Sequence, residues 1–220
     1  NKLFAGVADW NGNLYVSAGT GTAFIFKSSD GGVTWSQIAS IIYGSSATAK
    51  GMAVNKSNAL FLVAGSGEVF SSIDSGVTWN LINSSYGRTS DAIDMFSDDI
   101  NNLYILARTN KEVWKSSNNG ITWSVVNKTF SSNNLFAGAS DWNGNIYVAN
   151  GLGSVYKSSD RGITWSLTTD FNGGASSSNS IGLASIFKTS DIQFQARSCS
   201  SPDCSDGNFI GPDGTSNTYF

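Results

Sequence analysis

The sequence predicts an all-β chain, a β-propeller of four blades followed by a further strand-rich segment, on three observations. First, one eight-residue phrase recurs four times: Ser28-Ser-Asp-Gly-Gly-Val-Thr-Trp35, Ser72-Ile-Asp-Ser-Gly-Val-Thr-Trp79, Ser116-Ser-Asn-Asn-Gly-Ile-Thr-Trp123 and Ser158-Ser-Asp-Arg-Gly-Ile-Thr-Trp165. The copies begin 44, 44 and 42 residues apart, and a fixed period of that size marks one supersecondary unit used repeatedly. Second, helix formers are scarce: the 220 residues contain two Glu, Glu68 and Glu112, against 24 Gly and an abundance of Ser, Asn and Thr, which favour turns. Third, each period divides into four short apolar segments separated by turn residues, the pattern of one propeller blade.

The first repeat shows the elements in order. Residues 3–8 read as a strand, and Asn11-Gly12 as a tight turn that accepts positive φ. Residues 14–18 and 23–27 read as the second and third strands. The octapeptide turns the chain into a fourth, residues 34–38. Residues 135–147, LFAGASDWNGNIY, nearly duplicate residues 3–15, LFAGVADWNGNLY, while 52–63 and 94–106 are looser copies. Within the octapeptide an Asp or Asn side chain can accept backbone N–H bonds and close the turn. Gly32, Gly76, Gly120 and Gly162 supply positive φ, and the Trp supplies an apolar anchor. The core is expected from alternating apolar positions: Phe24, Phe26, Leu60, Leu62, Val69, Leu103, Ile105, Val113, Ile146, Val148, Val155 and the four octapeptide Trp. Truncating one of those Trp to Ala is expected to cost about 3–5 kcal/mol.

On these residues the chain resembles the Asp-box (BNR) repeat family, whose motif reads Ser-x-Asp-x-Gly-x-Thr-Trp. The resemblance covers roughly residues 1–168 and implies a β-propeller in which the phrase joins the third and fourth strands of each blade. It also implies that Asp30, Trp35, Asp74, Trp79, Asn118, Trp123, Asp160 and Trp165 are structural, away from any active site. The sialidase branch of that family clamps a carboxylate with three arginines and uses a Tyr–Glu pair. Here the four arginines are Arg88, Arg108, Arg161 and Arg197, Arg161 lies inside an octapeptide, and the Arg-Ile-Pro motif is missing.

The repeats occupy residues 1–168. Residues 169–180 read as a Gly/Ser-rich linker, and 181–220 as a C-terminal β segment. In it Ile192, Phe194 and Ala196 alternate with Gln193, Gln195 and Arg197. This segment is either a divergent fifth blade or a separate module or arm. As an arm it could add a strand to a neighbouring copy and build a fibre. Cys199 and Cys204 fall within it and are expected to form a small-loop disulfide.

Composition removes several functions. The net charge is −3 with 13 basic residues in no run, against nucleic-acid binding. No apolar run is long enough to span a bilayer. The absence of His removes His general bases, Ser-His-Asp catalysis and imidazole metal ligands. The chain begins at Asn1 without a signal-peptide pattern, which reads as a processed mature chain or an excised piece. Three Asn-x-Ser/Thr triplets, at Asn55, Asn83 and Asn127, add little in an Asn/Ser-rich chain.

No catalytic residues and no cofactor are expected. Two carboxylates suited to glycoside hydrolysis would have to meet across the ring. Asp94, Asp98 and Asp99 read as one loop, a solvated turn or, alternatively, a Ca²⁺ site. Trp10 and Trp142 stand in Asp-Trp-Asn-Gly-Asn turns, either packed between blades or stacked on a sugar face. In the second case Asp9 and Asp141 would bond hydroxyls. The sequence thus predicts a non-enzymatic, extracellular or cell-surface propeller for binding or assembly with a glycan or protein partner, with self-association through the C-terminal segment. The alternatives are an Asp-box glycoside hydrolase, whole or fragmentary, and a fibre subunit.

Overall fold

A computed structural model of the chain describes residues 2–42, 48–87, 92–127, 130, 134–141, 143–170 and 183. The described residues form sixteen strands and no helix, in four antiparallel sheets of four. Blade 1 is β1 (Leu3–Ala8), β2 (Leu14–Ala18), β3 (Thr22–Ser28) and β4 (Ser36–Ile42). Blade 2 is β5 (Ala49–Val54), β6 (Leu60–Ala64), β7 (Val69–Ser72) and β8 (Asn80–Asn83). Blade 3 is β9 (Ala92–Ser97), β10 (Leu103–Ala107), β11 (Glu112–Ser116) and β12 (Ser124–Asn127). Blade 4 is β13 (Leu135–Ser140), β14 (Ile146–Asn150), β15 (Ser154–Ser158) and β16 (Ser166–Asp170). Strand order follows chain order in every sheet, so each blade is a meander whose octapeptide joins its third and fourth strands. Each octapeptide Trp sits just before its fourth strand rather than opening it.

Every blade carries the same two irregularities. The ladder slips once between its first and second strands, and once between its third and fourth, at Ile25/Phe26, Val69/Phe70, Val113/Trp114 and Val155/Tyr156. Such bulges increase local twist, which lets sheets stack radially. The inner strands pack in the order β1, β5, β9, β13, and β13 makes no comparable packing on β1 among the described residues.

The core lies between blades. Tyr15, Ile25, Leu60 and Leu62 pack between blades 1 and 2. Phe61, Val63, Leu103 and Ile105 pack between blades 2 and 3. Tyr104, Leu106, Ile146 and Val148 pack between blades 3 and 4. Strands β6 and β10 are therefore buried on both faces along their whole length. Phe61, Tyr104 and Leu106 thus join the core as fully as the alternating residues that the sequence singles out. Trp79, Trp123 and Trp165 each pack toward the preceding blade. Among the described residues no blade precedes that of Trp35, which is 41% exposed. The same open flank leaves Phe24 and Phe26 only half-buried, and Leu3 is 69% exposed where its counterpart Leu135 is fully buried.

The near-identical segments LFAG at 3–6 and 135–138 make this difference measurable. A Cβ on Gly138 would lie 2.2 Å from the Phe96 ring of blade 3, whereas one on Gly6 would meet nothing closer than Tyr15 O at 3.1 Å. Gly138→Ala is expected to cost about 1–3 kcal/mol through overpacking, and Gly6→Ala under about 1 kcal/mol. Chemical denaturation of the two variants side by side checks the difference.

Residues 171–182 and 184–220 lie outside the described residues. So do Trp142, Arg88, Arg197, Cys199 and Cys204, and with them the proposed linker, C-terminal β segment and disulfide. Strand β16 runs to Asp170, two residues into the stretch that the sequence assigns to the linker.

Candidate functional site

Two kinds of corner fix one end of each blade. In the octapeptide of blade 1 the Asp30 carboxylate accepts from Thr34 N, Thr34 Oγ1 and Ser28 Oγ, while Ser28 Oγ accepts from Gly32 N. The Trp35 indole N–H donates to Gly32 O. Blades 2 and 4 repeat the set around Asp74 and Asp160. In blade 3, Asn118 Oδ1 accepts from Thr122 N while its Nδ2 donates to Thr122 Oγ1, so the amide closes the turn with the hydroxyl reversed. Gly32, Gly76, Gly120 and Gly162 all have positive φ, between 84° and 98°. Bonds from Ser28 and Thr34 hold Asp30 below the usual carboxylate range, and bonds from Thr78 and Thr164 hold Asp74 and Asp160 at about 2.

The second corner lies between the first and second strands. Asp9 accepts from Asn11 N, Asn13 N, Asn13 Nδ2 and Tyr15 OH, at 2.8–3.0 Å. Asp98 makes the same four contacts with Ile100, Asn102 and Tyr104, and Asp141 with Asn143, Asn145 and Tyr147. The turn is therefore a five-residue loop wound around a carboxylate, not a two-residue Asn-Gly hairpin; Gly12 has φ 82° and Asn11 does not share the left-handed conformation. Burial raises the Asp9 pKa, but the donors from Asn13, Tyr15 and Asn11 outweigh it and the net shift is downward. Burial and the facing carboxylate push Tyr15 and Tyr147 up to about 12.

Residues of the turns between the first and second strands of blades 1, 2 and 3 reach the next blade. Trp10 N donates to Asn58 Oδ1 and its indole N–H to Asn55 O. Lys56 N donates to Asn101 Oδ1. Asp99 takes Arg161 Nη1 at 2.5 Å, and the same Nη1 lies 3.1 Å from Asp98 Oδ2. Trp10 is thus an inter-blade clamp that remains 44% exposed. Asp9 and Asp141, the expected hydroxyl ligands, are placed inside their turns with both oxygens engaged. Arg161 and the Asp98–Asp99 pair form an inter-blade ion cluster, with the Arg161 pKa raised first by its bond to Asp99.

Asp94 corrects the sequence reading: it lies on β9, not in a loop with Asp98 and Asp99, and the three carboxylates do not converge. No group of three His, Cys, Asp or Glu suited to a metal occurs among the described residues. Asp94 lines an axial cavity of about 300 Å³ bounded by all four inner strands, through Gly6–Ala8, Met52–Val54, Asp94–Ser97 and Gly138, and by Leu183. Its Oδ2 accepts from Gly138 N of blade 4 and its Oδ1 from Met95 N, both at 2.8 Å. Burial pushes its carboxyl up to about 7 against the pull of those two donors. A signal for it exists in the repeat register: Ala5, Gly51 and Ala137 fill the equivalent ladder position. A carboxylate thus stands on the cavity wall at a position that the other blades fill with their smallest residues, each of its oxygens bonded to a backbone N–H.

No protein-family model and no curated protein matches the sequence. Solved structures show the fold. The nidogen/laminin complex matches with TM-score 0.63 and 14% identity, over 90% of this chain and 78% of that one. The GH74 enzyme of Niastella koreensis matches with TM-score 0.62 and 18% identity, over 96% and 30%. YCF48 bound to D1 peptide matches with TM-score 0.58 and 16% identity, over 88% and 59%; the chain thus spans 59% of that relative's length. The protein is a β-propeller. Among the described residues there is no helix long and apolar enough to cross a membrane.

Proposed function

We propose that this chain is a non-catalytic, extracellular binding propeller of the Asp-box class, whose axial cavity receives a polar group of a protein or glycan partner. The carrying observation is the single axial carboxylate. Asp94 is the one acidic side chain among the described residues lining the cavity. Hydrolysis of a glycoside by the usual route needs two carboxylates about 5–10 Å apart. The remaining acids of the neighbouring turns are occupied by backbone amides, tyrosines or Arg161. Similar folds occur in YCF48 bound to D1 peptide and in the nidogen/laminin complex, which supports the binding reading for this one.

Trp10 adds an exposed aromatic face at the octapeptide end, available to a sugar or an apolar side chain. Its counterpart Trp142 and the assembly role of residues 181–220 belong to the same proposal.

A glycoside hydrolase is the second reading, favoured by the likeness to a GH74 enzyme. The test is an array of glycans and peptides probed with the purified chain, beside a panel of fluorogenic glycosides. Binding without turnover, weakened by Asp94→Asn, is expected. Turnover that Asp94→Asn abolishes would establish the hydrolase instead.

A further inference from the structure

The open flank of blade 1 has the composition of an inter-blade interface. Leu14 and Val16 stand at the ladder positions that Leu60 and Leu62 take in blade 2, Leu103 and Ile105 in blade 3, and Ile146 and Val148 in blade 4. Those six side chains are fully buried, packed with the preceding blade. Leu14 and Val16 are only half-buried. Gly32 is likewise half-buried where Gly76, Gly120 and Gly162 are buried.

What fits such a flank is present three times within the chain. The slip between the third and fourth strands leaves one residue of the fourth strand outside the ladder: Ile38, Ile82 and Val126 in blades 1, 2 and 3. Each presses on the octapeptide glycine of the next blade. A Cβ on Gly76 would lie 2.9 Å from Ile38, one on Gly120 2.7 Å from Ile82, and one on Gly162 2.9 Å from Val126. The bulge is a knob, and the glycine one blade later is its hole. In blade 4 the residue outside the ladder is Thr168, β-branched like the other three and exposed. Tyr147, the counterpart of the fully buried Tyr15 and Tyr104, is half-buried. The hole of blade 1, Gly32, has only Leu14 and Trp35 of its own blade nearby. Among the described residues, the knob face of blade 4 and the hole face of blade 1 are therefore both unmatched.

From this complementarity we infer that the open flank of blade 1 is a docking surface for the back of blade 4 of a second copy. The contact continues the packing that already joins consecutive blades, and it is heterologous, head to tail. The patch it covers is apolar, formed by Leu3, Leu14, Val16, Phe24, Phe26 and Trp35, the kind of exposed surface that marks an interaction site. It goes beyond the proposed function and uses neither Asp94 nor residues 181–220, so its failure would leave the binding reading standing.

The test uses the full chain. Sedimentation velocity is run from about 1 to 500 µM, since the population of an assembly follows protein concentration. A monomer is expected at the low end and oligomers at the high end. Two variants each place a charge in the contact: Leu3→Glu on the front, at a side chain 69% exposed in the single copy, and Thr168→Lys on the back. Each alone should weaken self-association at least about tenfold, because the charge would be buried without a partner. Mixed in equal amounts, they should form a dimer and nothing larger, since each supplies the face that the other lacks. In methyl NMR of the wild-type chain, raising the concentration should shift Leu3, Leu14 and Val16 and leave Leu62 and Ile105 unmoved. A wild-type chain that stays monomeric, association that both variants retain, a mixture without dimer, or oligomers that leave the Leu3, Leu14 and Val16 methyls unmoved would each overturn the assignment. The sedimentation and methyl readings on the wild-type chain decide the matter even where a variant fails to fold.

Discussion

Replacing Asp98 by Ala is expected to destabilise the protein by about 3–5 kcal/mol, the range for removing one partner of a buried, hydrogen-bonded charge pair. The Asp98 side chain is fully buried. It accepts from Ile100 N, Asn102 N, Asn102 Nδ2, Tyr104 OH and Arg161 Nη1. Alanine would take the shared acceptor from Ile100 N, Asn102 N and Asn102 Nδ2, and would leave Tyr104 OH only the long bond to Arg161 O at 3.4 Å and Arg161 Nη1 only Asp99. Asp9→Ala breaks the equivalent turn in blade 1, but no arginine converges there and Asn11 and Gly12 are exposed, so the loss should be smaller, about 1–3 kcal/mol. Urea denaturation of the two variants checks both the size and the order. Equal losses below about 1 kcal/mol would mean that the carboxylate-wound loop does not organise the blade.

The second large effect separates four side chains that the sequence presents as equivalent. Trp123→Ala is expected to cost about 2–4 kcal/mol. The value sits below the full range for a core aromatic because Trp123 is only half-buried, packed beside Tyr86 at a ring separation of 6.5 Å. Trp165 makes a closer contact, 4.9 Å to Phe130, and should behave alike. Trp35→Ala should cost under about 1.5 kcal/mol, because its ring faces the open flank of blade 1 and loses little buried area. The measurement is the shift of the urea midpoint at constant m-value across the set. Four equal losses would show that a further packing surface covers the flank of blade 1.

Much of this architecture is readable from residues alone, because a period of about 44 with Gly and Trp at fixed offsets leaves few alternatives. The octapeptide could be assigned to a turn because its Asp, Gly and Thr act within eight residues of one another. What failed was part of what depends on a neighbouring blade. Phe61, Tyr104 and Leu106 look like the solvent side of an alternating strand. They are core because sheets stack on both faces, which erases the period-2 signal. Asp9 and Asp141 look like exposed polar tips, and only the later Asn and Tyr of the same loop reveal that the acid is wrapped. Asp94 was obscured by Asp98 and Asp99 close behind it. Its meaning appears only when the repeats are placed in ladder register, where it replaces Ala or Gly.

The protonation behaviour follows from the same placement and has opposite signs at the two sites. Asp74 and Asp160 are held low by their turn hydrogen bonds, so the unfolded chain binds more protons than the folded one below pH 4. Their contribution to stability is complete above that point and is lost as pH falls through about 2. Asp94 is raised by burial, so the folded chain holds its proton longer. Its contribution is complete below pH 4 and is lost as pH rises through about 7.

A carboxyl ¹³C NMR titration of the aspartates, from pH 1.5 to 9, reads both sites at once. Octapeptide aspartates that serve as turn closures, with Asp94 as the half-buried axial acid, require midpoints near 2 for Asp74 and Asp160 and near 7 for Asp94. Midpoints clustered near 4 for all three would mean solvated carboxylates, and would contradict both the turn closures and the axial packing of blades 3 and 4.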